Sequence, residues 1–140
     1  MSTLPPSKFF PSAADASADG LLRVGGMLSM EWLLDAYRHG IFPWPFNNGR
    51  LAWWSPDPRA IFEFDRFHVS RRLARTVRSG KFEVTCNRDF EGVIDGCATA
   101  PDRRDGTWIT PAIRTAYLAL HRRGHAHAGQ LRSAVADRRQ

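Results

Sequence analysis

Cysteine is scarce in this sequence, with Cys86 and Cys97 alone among 140 residues and no Cys-x-x-Cys pair. Cys86 falls in an alternating Phe82-Val84-Cys86 pattern and Cys97 on a Phe90-Val93-Ile94-Cys97 helical stripe. Both therefore read as small core residues in preference to a disulfide or a metal pair. Long apolar runs are also lacking: none approaches the roughly 18 residues that a membrane span needs. Met1 to Gly20 holds one Lys and no continuous apolar stretch, which excludes a secretory signal and makes the cytoplasm the expected location. Acid is missing from one stretch. Between Arg66 and Lys81 six basic residues follow one another with no Asp or Glu among them.

What is present fits a folded chain. It is 43% hydrophobic, 24% charged and 11% aromatic, the composition of one compact domain with a small appendage. The net charge of +6 equals the charge of Arg66, Arg71, Arg72, Arg75, Arg78 and Lys81, so the remainder sums to zero. Such a patch suggests a polyanionic partner; the plain alternative is a solvated helix face.

Residues 1–20, rich in Pro, Ala and Ser, read as an irregular leader anchored by Phe9-Phe10-Pro11. Gly25-Gly26 is a turn, and Ser29 caps a helix carrying Leu33, Ala36 and Tyr37 that Gly40 ends. From Ile41 to Pro58 the prolines and the tryptophans Trp44, Trp53 and Trp54 exclude a regular helix, and rings this large must pack or bind. Ile61–Phe64 reads as a short strand. Ser70 caps the next helix, closed by Gly80, with Leu73 and Val77 as its buried stripe and Arg71, Arg75 and Arg78 on the opposite face. Phe82–Cys86 alternates as a half-buried strand. Asn87 then caps a helix with Phe90, Val93, Ile94 and Cys97, and a loop through Pro101, Asp102, Arg103, Arg104 and Asp105 follows. Thr110-Pro111 starts a helix whose inner face is Ile113, Ala116, Tyr117 and Leu120, stopped at Gly124. Ala128 to Gln140 offers no strand alternation and reads as disorder or frayed helix.

Four ordered segments are informative together: Asp19-Gly20-Leu21-Leu22-Arg23-Val24-Gly25-Gly26, Ala36-Tyr37-Arg38-His39-Gly40-Ile41-Phe42-Pro43-Trp44, Trp53-Trp54-Ser55-Pro56-Asp57-Pro58-Arg59, and Asp105-Gly106-Thr107-Trp108-Ile109-Thr110-Pro111. With His68-Val69-Ser70-Arg71 and Gly124-His125-Ala126-His127 they resemble the N-terminal part of leucyl/phenylalanyl-tRNA–protein transferases, from about Gly20 to His127. Met27 departs from the acidic or amide residue that the family commonly places after the two glycines.

The resemblance implies an α+β protein, with a small N-terminal domain (1–58), the first and incomplete part of an acetyltransferase-like (GNAT-type) α/β domain (59–127), and a non-matching tail (128–140). It implies an aminoacyltransferase that moves Leu or Phe from aminoacyl-tRNA to acceptor proteins with N-terminal Lys or Arg, marking them for degradation by the N-end rule. No cofactor, metal or membrane is expected, and no Gly-rich pyrophosphate loop is seen. By resemblance Trp44, Trp108 and Tyr117 form the pocket for the terminal adenosine, where each stacked base contributes about 1–3 kcal/mol. Core packing is the competing account of each ring; Trp53 and Trp54 read as structural. Arg71, Arg75 and Arg78, supported by Arg72 and Lys81, are expected on acceptor-stem phosphates. His121, His125 and His127 straddle the helix-ending Gly124 with no nearby carboxylate or thiolate, so a zinc site is not expected. The residues for peptide transfer and the Leu/Phe side-chain pocket are expected downstream of the chain's end, which makes this polypeptide a shortened, inactive form. Competing readings are a small basic RNA-binding module without catalysis and an α+β fragment with no activity.

Overall fold

The computed structural model describes residues 4–46, 48–101 and 106–133. Its first helix, α1 (Met30–Arg38), starts where Ser29 accepts the Trp32 amide and ends ahead of Gly40, whose φ of 73° turns the chain out of the helix. Trp32, Leu33 and Ala36 are its buried side. Only glycine fits at Gly26, where φ is +91° and a Cβ would lie 2.4 Å from the Trp32 ring.

Strands β1 (Leu21–Val24), β2 (Phe42–Pro43) and β3 (Ala52–Trp54) form an antiparallel sheet in the order β1-β3-β2. All are too short to show alternation, so the sequence reading did not find them. Trp53, fully buried, donates from Nε1 to the Gly25 carbonyl at 3.0 Å and packs between Phe10 and Trp32, at 4.9 and 5.9 Å between centroids. Phe9 stacks on Trp32 at 4.7 Å, so the leader is anchored by its aromatic pair as expected. The leader is also held by polar contacts. The Asp35 carboxylate accepts from the Ser7 hydroxyl at 2.5 Å, and both His39 ring nitrogens face carbonyls, Asp35 at 2.7 Å and Pro5 at 2.8 Å.

Helices α3 (Phe90–Thr99) and α4 (Pro111–Arg122) form a second packed unit. Thr110 caps α4 by accepting the Ile113 amide at 3.3 Å, with Pro111 in the first turn as expected. The cap of α3 is Asp89, not Asn87: Asp89 accepts the Gly92 amide at 2.9 Å, whereas Asn87 takes φ 58°. Asn87 instead pairs with residue 128, its amide donating to the Ala128 carbonyl at 2.8 Å and its Oδ1 accepting the Ala128 amide at 3.0 Å. Across the two helices, Arg114 donates to both oxygens of Asp95 at 2.5 and 2.8 Å and to Glu91 at 2.6 Å. Phe90, Ile94, Ile109, Ile113 and Leu118 make this core, while Leu120 joins the core of Phe10, Trp32 and Trp53. Tyr117 packs against both.

The segment from residue 61 to 86 departs most from expectation. No strand forms at Ile61–Phe64, because an extended segment needs a neighbour for its amides and carbonyls and none of the described strands pairs with it. Phe64–Arg66 is a 3-10 turn, and Phe62 and Phe64 are 78% and 91% exposed. Helix α2 (Arg71–Arg78), capped by Ser70 as expected, buries nothing: Leu73 and Val77 face solvent, since no layer among the described residues covers their side. Strand β4 (Phe82–Cys86) forms but is not half-buried, with Phe82 and Val84 exposed.

Cys86 and Cys97 are free and exposed, correcting their assignment to the core. Cys86 ends a strand with uncovered faces, and Cys97 lines a hollow a turn beyond buried Ile94. The tail is corrected too. Gly129–Ser133 is strand β5, antiparallel to β4, with Val84 opposite Leu131 and Cys86 opposite Gly129. Its missing alternation reflects a two-stranded ribbon that needs no apolar face to pair. Within the tail, residues 134–140 lie outside the described residues, as do 102–105 of the loop before Gly106.

Candidate functional site

Proline on both sides of Trp44 stiffens the turn between β2 and β3 and denies it helical geometry. The backbone is held on each side of the ring: the Trp44 amide donates to the Ala52 carbonyl at 2.9 Å, and the Trp44 carbonyl accepts Trp54 Nε1 at 2.7 Å. Trp54, read from sequence as structural, thus positions Trp44. Trp44 stays 45% exposed.

What meets it comes from the far end of the chain. Gly106, at φ 90°, turns the backbone into Thr107 and Trp108. The Thr107 hydroxyl accepts the Ile109 amide at 3.1 Å, fixing the approach to α4. Trp108 lies parallel to Trp44, with centroids 5.2 Å apart and planes 14° from parallel. Tyr117, two turns into α4, meets the Trp108 ring edge-on at 6.0 Å and 79°. The structure therefore brings Trp44, Trp108 and Tyr117 into one cluster.

Open space flanks this cluster. A hollow of about 450 Å³ runs past Trp44 and Trp108 between Phe46, Gly49, Thr107 and Thr110. A second, of about 400 Å³, lies behind Trp108 and Tyr117 against Phe90, Val93, Ile94 and Cys97. Both sizes suit a small organic ligand. Trp108 lines both.

Tyr37 completes the cluster and was missed. Sequence spacing sets it on the helix with Leu33 and Ala36, which are buried, yet it is 48% exposed and its hydroxyl hydrogen-bonds the Tyr117 hydroxyl. Burial pushes the Tyr117 phenol well above its ordinary value, and the bond to Tyr37 adds to the shift. Burial also raises Tyr37, with the bond opposing it. Both phenols keep their protons at neutral pH. Nothing in a 3.6-residue pattern distinguishes a tyrosine that packs from one that meets a second hydroxyl; the signal was only its place in the segment Ala36 to Trp44.

The basic residues form a separate feature. Arg71, Arg72, Arg75, Arg78 and Lys81 are all exposed, and none has an ion pair among the described residues. Arg66, at the edge of the run, pairs with Glu63 at 3.3 Å. Cation–ring contacts among the described residues are Arg23 over Trp32 and Arg59 over Phe42, so α2 does not touch the aromatic cluster through its guanidinium groups. The histidines serve packing and turns. His121 stacks on Phe90 at 4.2 Å and donates from Nδ1 to the Ala126 carbonyl at 2.8 Å, while His127 Nδ1 accepts from the Asn87 side-chain amide at 2.7 Å. Among the described residues no group of three or more His, Cys, Asp or Glu is placed to hold a metal.

Comparison with known proteins agrees with the ordered motifs. The family model described as leucyl/phenylalanyl-tRNA protein transferase matches residues 61–134, and the model for the N-terminal domain of the same family matches residues 26–57. The match reaches past His127, where the sequence reading ended the resemblance. A leucyl/phenylalanyl-tRNA–protein transferase of Pseudomonas putida (strain W619) is 50% identical over 125 residues, 88% of this chain and 55% of that protein. One from Solidesulfovibrio magneticus is 54% identical over 120 residues, 85% of this chain and 49% of that protein. One from Anaeromyxobacter sp. (strain Fw109-5) is 52% identical over 126 residues, 89% and 54% of the respective chains. The chain spans about half the length of the curated relatives it matches.

Proposed function

Because the chain belongs to the leucyl/phenylalanyl-tRNA protein transferase family, we propose that it serves the transfer of Leu or Phe from aminoacyl-tRNA to proteins with N-terminal Lys or Arg. Peptide transfer is the task of the whole-length enzyme, and the part assigned to these residues is holding the 3′ end of the aminoacyl-tRNA. In the same proposal the acceptor is marked for degradation by the N-end rule, in the cytoplasm. The α3–α4 unit with β4 and β5 is taken as the opening of an acetyltransferase-like (GNAT-type) α/β domain after a small domain ending near Pro58.

The observation that carries the reading is the ring cluster of Trp44, Trp108 and Tyr117 beside an open hollow. A single-stranded 3′ end offers an unpaired adenine, and flat aromatic faces are what hold such bases. Trp44 stacks on Trp108 while keeping nearly half its surface open, so a base has a face to join without building a new pocket. The arginine helix supports the second half of the task. Arg71, Arg75 and Arg78 repeat at intervals of four and three with Arg72 and Lys81 nearby, and a fixed array of unpaired cations suits phosphates whatever the base sequence.

Two variants test the division of labour. Trp44→Ala is expected to weaken a nonhydrolysable phenylalanyl-adenosine analogue roughly 5- to 150-fold, the equivalent of one stacked base, and to leave an acceptor-stem duplex unaffected. Arg71→Ala/Arg75→Ala/Arg78→Ala is expected to do the reverse, weakening all tRNAs alike and flattening the salt dependence of binding. If both variants weakened both ligands equally, or neither ligand, the assignment would be wrong.

A further inference from the structure

The geometry points to Tyr37 as a positioning residue of the adenosine site, an inference that rests on the reading of Trp44, Trp108 and Tyr117 given above. Tyr37 lies in the last turns of α1, 80 positions from Tyr117, yet the two hydroxyls share a hydrogen bond and the rings meet edge-on at 6.4 Å and 87°. Tyr117 meets Trp108 edge-on in turn, and Trp108 stacks on Trp44. Four rings thus run in sequence from α1 to the turn between β2 and β3.

Packing alone fixes only part of this row. Tyr117 touches both hydrophobic cores, which orients its ring, but a phenolic O–H rotates freely about its C–O bond and packing does not aim it. The Tyr37 oxygen does. When two phenols pair, one donates and the other keeps its proton for a third group, so the pair presents one directed O–H with the second hydroxyl locked. Tyr37 is about half exposed, and Tyr117 lines the hollow behind Trp108. A phenol titrates at about 10, so both groups hold their protons at neutral pH. The ligand that suits a directed phenolic donor beside stacked rings is a nucleoside, the rings taking the base and the O–H an oxygen of the ribose or its ester. Tyr37 therefore acts through Tyr117, setting which hydroxyl points at the ligand.

The test uses the full 140-residue chain and two probes, the phenylalanyl-adenosine analogue and free adenine, which stacks but has no sugar oxygen. Tyr37→Phe keeps the ring and removes the hydroxyl. It is expected to weaken the analogue about three- to tenfold, to leave adenine binding unchanged, and to leave the melting temperature unchanged. Tyr117→Phe breaks the same pair from the other side and is expected to do the same, with the double variant no weaker than either single one. A Tyr37→Phe protein that bound the analogue like the parent, while Trp44→Ala lost it, would overturn the role of Tyr37 and leave the ring site standing. Equal losses for analogue and adenine with a lowered melting temperature would make the hydroxyl merely structural and also overturn it. Unchanged analogue binding in Trp44→Ala would remove the adenosine reading itself.

Discussion

Between Met30 and Trp54 the large apolar side chains Trp32, Leu33, Ile41 and Trp53 are almost wholly buried, whereas between Ile61 and Val84 Ile61, Phe62, Phe64, Val77 and Val84 are more than two-thirds exposed. The two stretches do not differ in the presence of large apolar residues. They differ in layers. The first has a helix, a sheet and the leader, so each ring meets another from a different element, as Trp53 meets Phe10 and Trp32. The second has one helix with no buried side chain and, among the described residues, a two-stranded ribbon, an arrangement of little independent stability. Amphipathic sequence makes an element; a facing layer makes a core.

The largest effect that separates the two regions is expected from paired truncations. Trp53→Ala removes a fully buried ring and its bond to Gly25, and should cost roughly 3–5 kcal/mol. Val84→Ala, on the exposed ribbon, should change stability by less than about 0.5 kcal/mol. Denaturant unfolding followed by circular dichroism checks both, and similar losses at the two sites would erase the contrast.

A smaller effect concerns the α3–α4 unit. The Arg114 guanidinium holds the Asp95 carboxyl below its ordinary value by hydrogen bonding. A carboxylate depressed in the folded state adds stability above its unfolded value of about 3.9 and loses it as pH falls through the folded value. Arg114→Ala should therefore flatten the fall of the melting temperature with pH below about 4, and an unchanged acid slope would show the clamp to be idle.

The smallest effect should come from the leader. Both ring nitrogens of His39 face acceptor carbonyls, and the bonds to Pro5 and then Asp35 raise its value. A raised histidine contributes fully below its unfolded value of about 6.5 and loses that contribution as pH rises through the folded value. The parent should lose a little stability from about pH 6 to 8 that His39→Gln does not lose. Equal melting curves across that range would mean that the aromatic pair alone fastens the leader.

Legibility in the sequence followed the same division. The caps Ser29, Ser70 and Thr110 and the stops at Gly40, Gly80 and Gly124 were readable because capping is local chemistry. The joint assignment of Trp44, Trp108 and Tyr117 followed from resemblance, and the structure brings those rings together. Strands β1, β2 and β3 were invisible because two to four residues carry too little period, and β5 because its five residues do not alternate; the pairing of all four is decided by distant partners. The burial of Leu73, Val77 and Cys86 was misjudged for a related reason: spacing shows which residues share a face, not whether anything covers it. Tyr37 and the Trp54 bond to Trp44 depend on contacts that no local pattern encodes.

We propose that Trp44 and Trp108 receive the terminal adenosine. Their parallel stack couples the two indoles electronically, and a base joining it must alter that coupling. Near-ultraviolet circular dichroism of the 140-residue chain, titrated with the phenylalanyl-adenosine analogue, reads it directly. The account predicts a saturable change in the tryptophan bands that disappears in Trp108→Ala while acceptor-stem binding persists. Absence of any saturable change, or the same change in Trp108→Ala, would contradict it.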